Sequence, residues 1–357
     1  MSDNPKEVEK EMEKAIFISA DCWLKVFDLL PRSQLGLGIA LISRRFDCFV
    51  DEHFKTRKWK LGDMIIEGKI GKNGAKEMKI VQIGNLGGKE LPIPQVPLPN
   101  KVIGFGRISI NFIDQNVLTF LRRFDRLSAT FKTHFDIYIE NVRISEFVLR
   151  NIWPMFKDTI LLIQTEGIFF RQMRQLGPST LNDYPSLRIF ATGILPEFPP
   201  DDSANASDGQ VVTKWLFSPR LDNLPKVFTC TVEAPEVQSM EQWLATVEQI
   251  KTAFSIASSP VNFGFSVFLP PSDEPLTVEP FELTNDLTGE KLTLLEEEEE
   301  DAFIVIRCPI GSDVSKWTKA ALDGMNDRQN QFDIMIRDDA FDKRLLDDAS
   351  AGPSGDH

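Results

Sequence analysis

Between Gly106 and Leu269 the sequence alternates between short apolar runs of strand character and longer runs with helical apolar spacing. The strand-like runs begin roughly 24 to 39 residues apart, a period that fits one strand and one returning helix. The predicted strands are RISINFI, FDIYIEN, TILLIQT, LRIFAT, KVFTCTV and VNFGFSVF. The predicted helices between them are QNVLTFLRRF, ISEFVLRNIWPMF, FFRQMRQL, QVVTKWLF and MEQWLATVEQIKTAF.

This alternation predicts stacked β-α units over residues 106–269, arranged as a leucine-rich-repeat-like solenoid or as a doubly wound sheet. Any repeat is degenerate, because no regular L-x-x-L-x-L run with an asparagine ladder accompanies it. A polar loop, PEFPPDDSANASDGQ, interrupts the region.

The segments on either side of this region have other patterns. Residues 61–105 carry two strand-like runs, MIIEGKI and MKIVQI, between glycine-rich turns, followed by the proline-rich extended run LPIPQVPLPNK. Residues 270–345 predict an antiparallel meander of PFELTN, KLTLLE and AFIVIRC, a short helix, and a last strand, FDIMIR. Residues 1–15 and 346–357 predict a flexible and a disordered tail.

Residues 16–60 predict a small helical module. Trp23, Val26, Phe27 and Leu30 follow the spacing of one helix face, which Ser19 could cap. Further apolar residues continue to about residue 54, giving two or three short helices that are too few to bury a core alone. We therefore expect the module to be stable only against a partner or the rest of the chain.

Composition limits the kind of partner. The net charge of −13 argues against binding nucleic acid or an anionic membrane, since both need a basic surface. Four distant cysteines without a C-x-x-C pair predict neither a disulfide framework nor a zinc site. The polar start and the lack of a run of ~18 apolar residues predict a cytoplasmic or nuclear protein.

The sequence offers little catalytic chemistry. Neither a G-x-S-x-G elbow nor a cysteine-centred motif accompanies the histidines, His53, His134 and His357. The glycine-rich run at 84–90 lacks the spacing of a phosphate loop, and the acidic run from Glu296 to Glu300 lacks that of a calcium loop. We therefore predict no enzyme activity, no cofactor and no metal site.

The stretch ISADCWLKVFDLLPRSQLGLGIALISRRFDCFV resembles an F-box. Ile18 and Ser19 depart from its usual Leu-Pro start, and Gln34 stands where an acidic residue is usual. The matching positions are the apolar pair Val26-Phe27, the leucine and break Leu30-Pro31, the second leucine Leu35, and the closing signature Ile42-Ser43-Arg44-Arg45-Phe46.

Further runs resemble an F-box-domain family that is expanded in plant-parasitic nematodes. These runs are ALISRRFDCFVDEHFKTRKWKLG, LPIPQVPLPNKVIGF, FPPDDSANASDGQ, FELTNDLTGEKL and VIRCPI. The resemblance implies an N-terminal three-helix F-box-like module, followed by an α+β or α/β domain of leucine-rich-repeat-like β-α units that ends in the antiparallel meander. It implies no activity for that carboxy-terminal region.

The resemblance also implies partners. A SKP1-like adaptor would dock on the module and bring a cullin-RING ubiquitin ligase, while the larger domain would hold an unidentified target protein. The implied adaptor-binding residues are Ile18, Trp23, Val26, Phe27, Leu30, Pro31, Leu35, Ile42 and Phe46.

Two alternatives stay open. The chain could be a repeat-type interaction scaffold without a ligase link, in which the helical module caps the first apolar face of the repeats. It could also be an enzyme with an unfamiliar site, which a deep polar pocket around His134 would favour.

Overall fold

The computed structural model describes residues 18–30, 35, 39–70, 76–83, 89–91, 93, 98, 100–124, 131–176, 181–220, 222–232, 237–268, 278–297, 302–323, 330–342 and 344–346. Over these residues the fold is mixed α/β, as predicted, and contains one large sheet. The predicted tails lie almost entirely outside the described residues, as do Pro31, most of the proline-rich run and most of the acidic run. None of the described helices combines the length and the apolar character needed to cross a membrane.

The helices are α1 (Ala20–Asp28), α2 (Arg44–Thr56), α3 (Gln115–Leu121), α4 (Val142–Asn151), α5 (Gly167–Leu176), α6 (Asp208–Leu216), α7 (Val237–Ser255) and α8 (Val314–Asp323). Single 3-10 turns lie at Ile39–Leu41, Arg122–Phe124, Trp153–Met155, Lys157–Thr159 and Asp338–Ala340. The strands are β1 (Trp59–Lys60), β2 (Asp63–Ile70), β3 (Lys76–Ile83), β4 (Lys89–Leu91), β5 (Val102–Gly104), β6 (Arg107–Ile110), β7 (Thr133–Tyr138), β8 (Ile160–Thr165), β9 (Ile189–Thr192), β10 (Lys226–Thr231), β11 (Phe263–Phe268), β12 (Phe281–Asn285), β13 (Glu290–Glu297), β14 (Ala302–Pro309) and β15 (Gln331–Met335).

The large sheet has the described strand order β12-β13-β14-β11-β10-β9-β8-β7-β15-β6-β2-β3-β4. Its middle, from β11 to β2, is parallel, and the strands β7 to β11 lie side by side in chain order. Antiparallel strands flank it on both sides: β12, β13 and β14 form the meander, and β3 and β4 follow β2. Strands from the segments 61–105, 106–269 and 270–345 thus share one sheet.

The last strand, β15, lies between β6 and β7 and runs parallel to both. The sequence predicted this strand but not its place, since neighbours in the chain are the usual neighbours in a sheet. The fit is chemical: Phe332 pairs in register with Ile108 and Phe135, while Asp333 pairs with Ser109 and Asp136. The strand therefore continues both an apolar row and a polar row across the sheet.

The apolar row lies on the face that carries the main core, to which helices α3 to α7 contribute, while α8 packs on the opposite face through Val314 and Trp317. From Phe332 it continues through Phe135, Ile163 and two further phenylalanines to Phe265, one residue per strand. Neighbouring rings are in contact, with centroids 5.3 Å apart for Phe135 and Phe332. This ladder, buried in the main hydrophobic core, accounts for part of the high phenylalanine content.

The helical module has a small core of its own. Phe27, Leu35 and Val50 are its buried residues, and they form a cluster distinct from the core under the sheet. Ser19 caps α1, as predicted, by accepting a hydrogen bond from the Cys22 N–H at 3.3 Å. The Phe54 and Trp59 rings lie 5.2 Å apart and join the helices of the module to the main core, against which Trp59 packs. The part of the chain that carries the large sheet, residues 61–345, is hereafter the sheet domain.

Candidate functional site

The predicted adaptor-binding residues differ in how far their side chains are exposed. Phe27 and Leu35 are fully buried inside the module, and Pro31 lies outside the described residues. Three residues are half-buried in the module core: Trp23, Leu30 and Phe46. Three others are exposed: Ile18, Val26 and Ile42. In this conformation only the exposed group offers its side chains fully to a partner.

Two exposed leucines enlarge that group. Leu41, just before Ile42, is 78% exposed, and Leu29 follows Val26 by one helical turn. The exposed fraction of Ile42 is 63% and that of Val26 is 42%. Single exposed apolar residues are ordinary, but together with Ile18 these make five exposed large apolar side chains within twenty-five residues of sequence. The four more exposed of them, Val26, Leu29, Leu41 and Ile42, are hereafter the module surface.

Polar contacts hold the two helices of the module together. Arg45 donates a hydrogen bond to the Ile18 carbonyl at 3.5 Å, which joins the first turn of α2 to the start of α1. At the other end, Asp28 lies 3.5 Å from the Arg57 guanidinium and 3.9 Å from Nε2 of the buried His53. His53 therefore has a place in the module's packing, with its ring 5.9 Å from that of Phe27.

A second candidate site is a polar network on the sheet face opposite the phenylalanine ladder. Asp333 is its centre: it accepts hydrogen bonds from Ser109 Oγ at 3.1 Å and from Gln331 Nε2 at 2.6 Å. Arg107 forms an ion pair with the same carboxylate at 3.3 Å. The row continues in register through Asp136 on β7. Charged side chains thus lie across adjacent parallel strands.

Two adjoining cavities open where the parallel strands end. The first has a volume of about 970 Å³ and the second about 500 Å³, and both are lined by Tyr138 and Glu166. The last residues of β15, β7, β8, β9 and β10 contribute to their walls: Met335, Tyr138, Thr165, Thr192 and Thr231. Clefts at the carboxyl ends of parallel strands are common ligand sites. The two cavities together are hereafter the strand-end groove.

Tyr138 stands where the two cavities meet. Its hydroxyl accepts a hydrogen bond from Gln164 Nε2 at 2.8 Å. Burial, reinforced by the negative charges of Asp136 and Glu166, raises the pKa of Tyr138 to about 12. The phenol is consequently neutral at physiological pH and serves as a hydrogen-bonding group.

The charges around the first cavity are mostly negative. Four carboxylates line it, against the two guanidinium groups of Arg143 and Arg337. In the second cavity, Arg171 forms an ion pair with Asp208 at 3.2 Å, which offsets its charge. The acidic residues of the first cavity are Glu140, Glu166, Asp338 and Asp339.

The groove does not surround His134, which lies near the opposite end of β7 from Tyr138, about 13 Å away at ~3.3 Å per residue. No His, Cys, Lys or Ser is among the lining residues that the structure describes for the two cavities. Within the described part of the chain, no group of three or more His, Cys, Asp or Glu side chains could hold a metal ion. The groove is thus suited to hydrogen bonding and ion pairing.

Sequence reasoning did not identify this groove. The signal was present, because three successive predicted strands, TILLIQT, LRIFAT and KVFTCTV, carry a threonine at or near their ends. A polar residue at a strand end is also ordinary turn chemistry, so it becomes informative only once the strands are known to be parallel neighbours.

Comparison with known proteins found no relative of this chain: no protein-family model matches it, and no match was found among the curated proteins or the solved structures.

Proposed function

We propose that this chain is a substrate-recruiting F-box subunit of an SCF-type cullin-RING ubiquitin ligase, acting in the cytoplasm or nucleus. Residues 16–54 would bind a SKP1-like adaptor, and the sheet domain would hold the target. The observation that carries the proposal is the module surface, because the segment that resembles an F-box exposes apolar side chains that a partner's groove could cover.

Such a subunit needs no catalytic residue of its own. It holds the target next to the ubiquitin-transferring enzyme and raises the target's effective concentration there. The requirements on the chain are two binding surfaces and a scaffold that fixes their separation. The module surface and the strand-end groove are candidates for the two surfaces, and the large sheet connects them.

The alternative is an interaction scaffold in which the module caps the sheet domain. The contact between Phe54 and Trp59 favours it, since Trp59 packs against the main core. Against it, the buried residues of the module form a separate cluster, whereas a cap would continue the core that it covers. Deleting residues 1–55 separates the two, because loss of a cap should unfold the remainder and loss of a docking module should leave it folded.

The direct test is adaptor binding by the purified full-length chain, measured by calorimetry. The double variant Leu41→Asp with Ile42→Asp places charges in the module surface without touching its core. We expect it to weaken binding about thirtyfold or more, as for central interface residues. Phe27→Asp is unsuitable, because this buried residue would disrupt the module itself.

A matched control is available in the sheet domain. Leu287, in the turn between β12 and β13, is 81% exposed, close to the value for Leu41. Ile256 at the end of α7 is similarly exposed, so Leu287→Asp with Ile256→Asp changes the same residue types away from the module. The proposal fails if wild type does not bind the adaptor, or if the module and control variants bind equally well.

A further inference from the structure

The strand-end groove has the length of a short extended peptide. It crosses the ends of five neighbouring strands, β15, β7, β8, β9 and β10. Four gaps of ~4.8 Å between strands give about 19 Å, which corresponds to roughly six residues of extended chain at ~3.3 Å each. The groove therefore offers space for a segment and not only for a single side chain.

One accessible hydroxyl in the groove suits a peptide backbone. Thr231, the last residue of β10, lines the second cavity and is exposed. A threonine hydroxyl both donates and accepts hydrogen bonds. A peptide backbone carries an N–H and a C=O group, and either of them could bond to the Thr231 hydroxyl.

The first cavity supplies the electrostatic preference. Four carboxylates face two guanidinium groups there, and the chain as a whole carries a net charge of −13. Asp338 is held in place by a hydrogen bond from Asn141 Nδ2 at 2.8 Å. The local field thus favours lysine and arginine over acidic side chains.

We propose that the strand-end groove binds a basic peptide segment in extended conformation. This inference rests on the proposed function, because the segment would belong to the protein that is recruited. Its backbone would lie across the strand ends and reach Thr231 in the second cavity. Its cationic side chains would lie in the first cavity among Glu140, Glu166, Asp338 and Asp339.

The test is selection from a library of random hexapeptides on the immobilised full-length protein, with the retained peptides sequenced by mass spectrometry. We expect lysine and arginine to be enriched and aspartate and glutamate depleted, with retention falling as salt is raised. Retained peptides that are acidic or apolar, or no enrichment over protein-free resin, would overturn the proposal.

Two sets of variants locate the binding, using one retained peptide labelled for fluorescence anisotropy. Glu166→Gln with Asp338→Asn should raise the Kd roughly three- to tenfold, as expected for two partly exposed ion pairs. Glu241→Gln with Asp286→Asn is the matched control, because both residues are exposed and line neither cavity. Equal affinities for the groove and control variants would contradict the assignment.

Thr231→Val separates binding from folding. Because Thr231 is exposed, replacing its hydroxyl by a methyl group should leave the unfolding midpoint almost unchanged. The same change should weaken peptide binding, because the ligand loses a hydrogen-bond partner. Unchanged affinity in a stable Thr231→Val protein would contradict the proposed backbone contact in the second cavity. These assays contain no adaptor, so a failed peptide selection would not count against adaptor binding by the module. Conversely, a failure to bind the adaptor would not change the result of the peptide selection.

Discussion

The Asn330 side chain accepts a hydrogen bond from the backbone N–H of Phe105 at 2.9 Å, across 225 residues of chain. The backbone repeats the connection, since Asn330 N–H donates to the Phe105 carbonyl and the Asn330 carbonyl accepts from His134 N–H. Asn330 has a φ of 55°, in the left-handed region that asparagine tolerates better than most residues. It therefore fixes the start of β15 between β6 and β7.

We expect Asn330→Ala to lower the free energy of unfolding by about 2–4 kcal/mol, through the lost hydrogen bond and the strained φ. Asn330→Gly accepts that φ and should lose less. Urea unfolding followed by fluorescence measures both variants. Wild-type stability in the alanine variant, or a greater loss in the glycine variant, would contradict this role.

The buried pair of Glu290 and Arg307 ties β13 to β14. Arg307 donates to the Glu290 carboxylate at 2.6 and 2.9 Å, and the other oxygen accepts from Val261 N–H at 2.8 Å. Arg307→Met should cost about 3–5 kcal/mol, because the buried carboxylate loses its counter-charge. Adding Glu290→Gln should recover part of the loss in denaturant unfolding. A double variant less stable than Arg307→Met would show that the pair does not act in this way.

Both tyrosines of the chain are expected to titrate late. Burial raises the pKa of Tyr138 and of Tyr184 to about 12, well above the ordinary tyrosine value of 10.0. The folded state then holds protons that the unfolded state loses, so this contribution to stability is present below pH 10 and is lost as the pH rises to 12. Phenolate absorbance should rise near pH 12 in the native protein and near pH 10 in urea. If half of the phenolate absorbance of the native protein appeared near pH 10, the burial of one of the two rings would be contradicted.

Lys226 makes the free energy of unfolding change with pH in the opposite direction. It donates to the carbonyls of Trp215 and Ser218 at the end of α6, and burial lowers its pKa to about 7. Between pH 7 and the ordinary lysine pKa of 10.5 the unfolded state binds more protons than the folded state, so this residue makes stability rise with pH. Lys226→Met should flatten that rise, whereas Lys101→Met on an exposed turn should not. Parallel stability curves for wild type and Lys226→Met would refute the assignment.

The strands were predictable because one face of each is apolar and covered. The alternation of Phe135 and Ile137 with Asp136, or of Phe332 and Ile334 with Asp333, indicates a strand from the sequence alone. The place of β15 was not predictable, since register and neighbours depend on contacts between residues far apart in the chain. The same limit applies to the groove, whose walls come from five strands.

In the helical module, a match to the sequence motif does not tell which residues lie on the surface. The motif ranks Phe27 and Ile42 alike, because both are apolar at matching positions. The structure separates them by exposure, burying Phe27 in the module core and leaving Ile42 open. Which of two apolar residues faces outward depends on the crossing of α1 and α2, and helical spacing within one helix does not contain that information.

The position of β15 also bears on how the protein is made. During synthesis β6 and β7 leave the ribosome long before β15. Until β15 is made, the edge of each strand that β15 will cover has no pairing partner. At roughly 5–20 residues per second, the 225 residues between Phe105 and Asn330 take about 11 to 45 seconds to synthesise. During that interval the nascent chain carries first the open edge of β6 and, once residues 133–138 are made, that of β7 as well. Such edges can pair with other chains, which makes the nascent chain a candidate for chaperone protection.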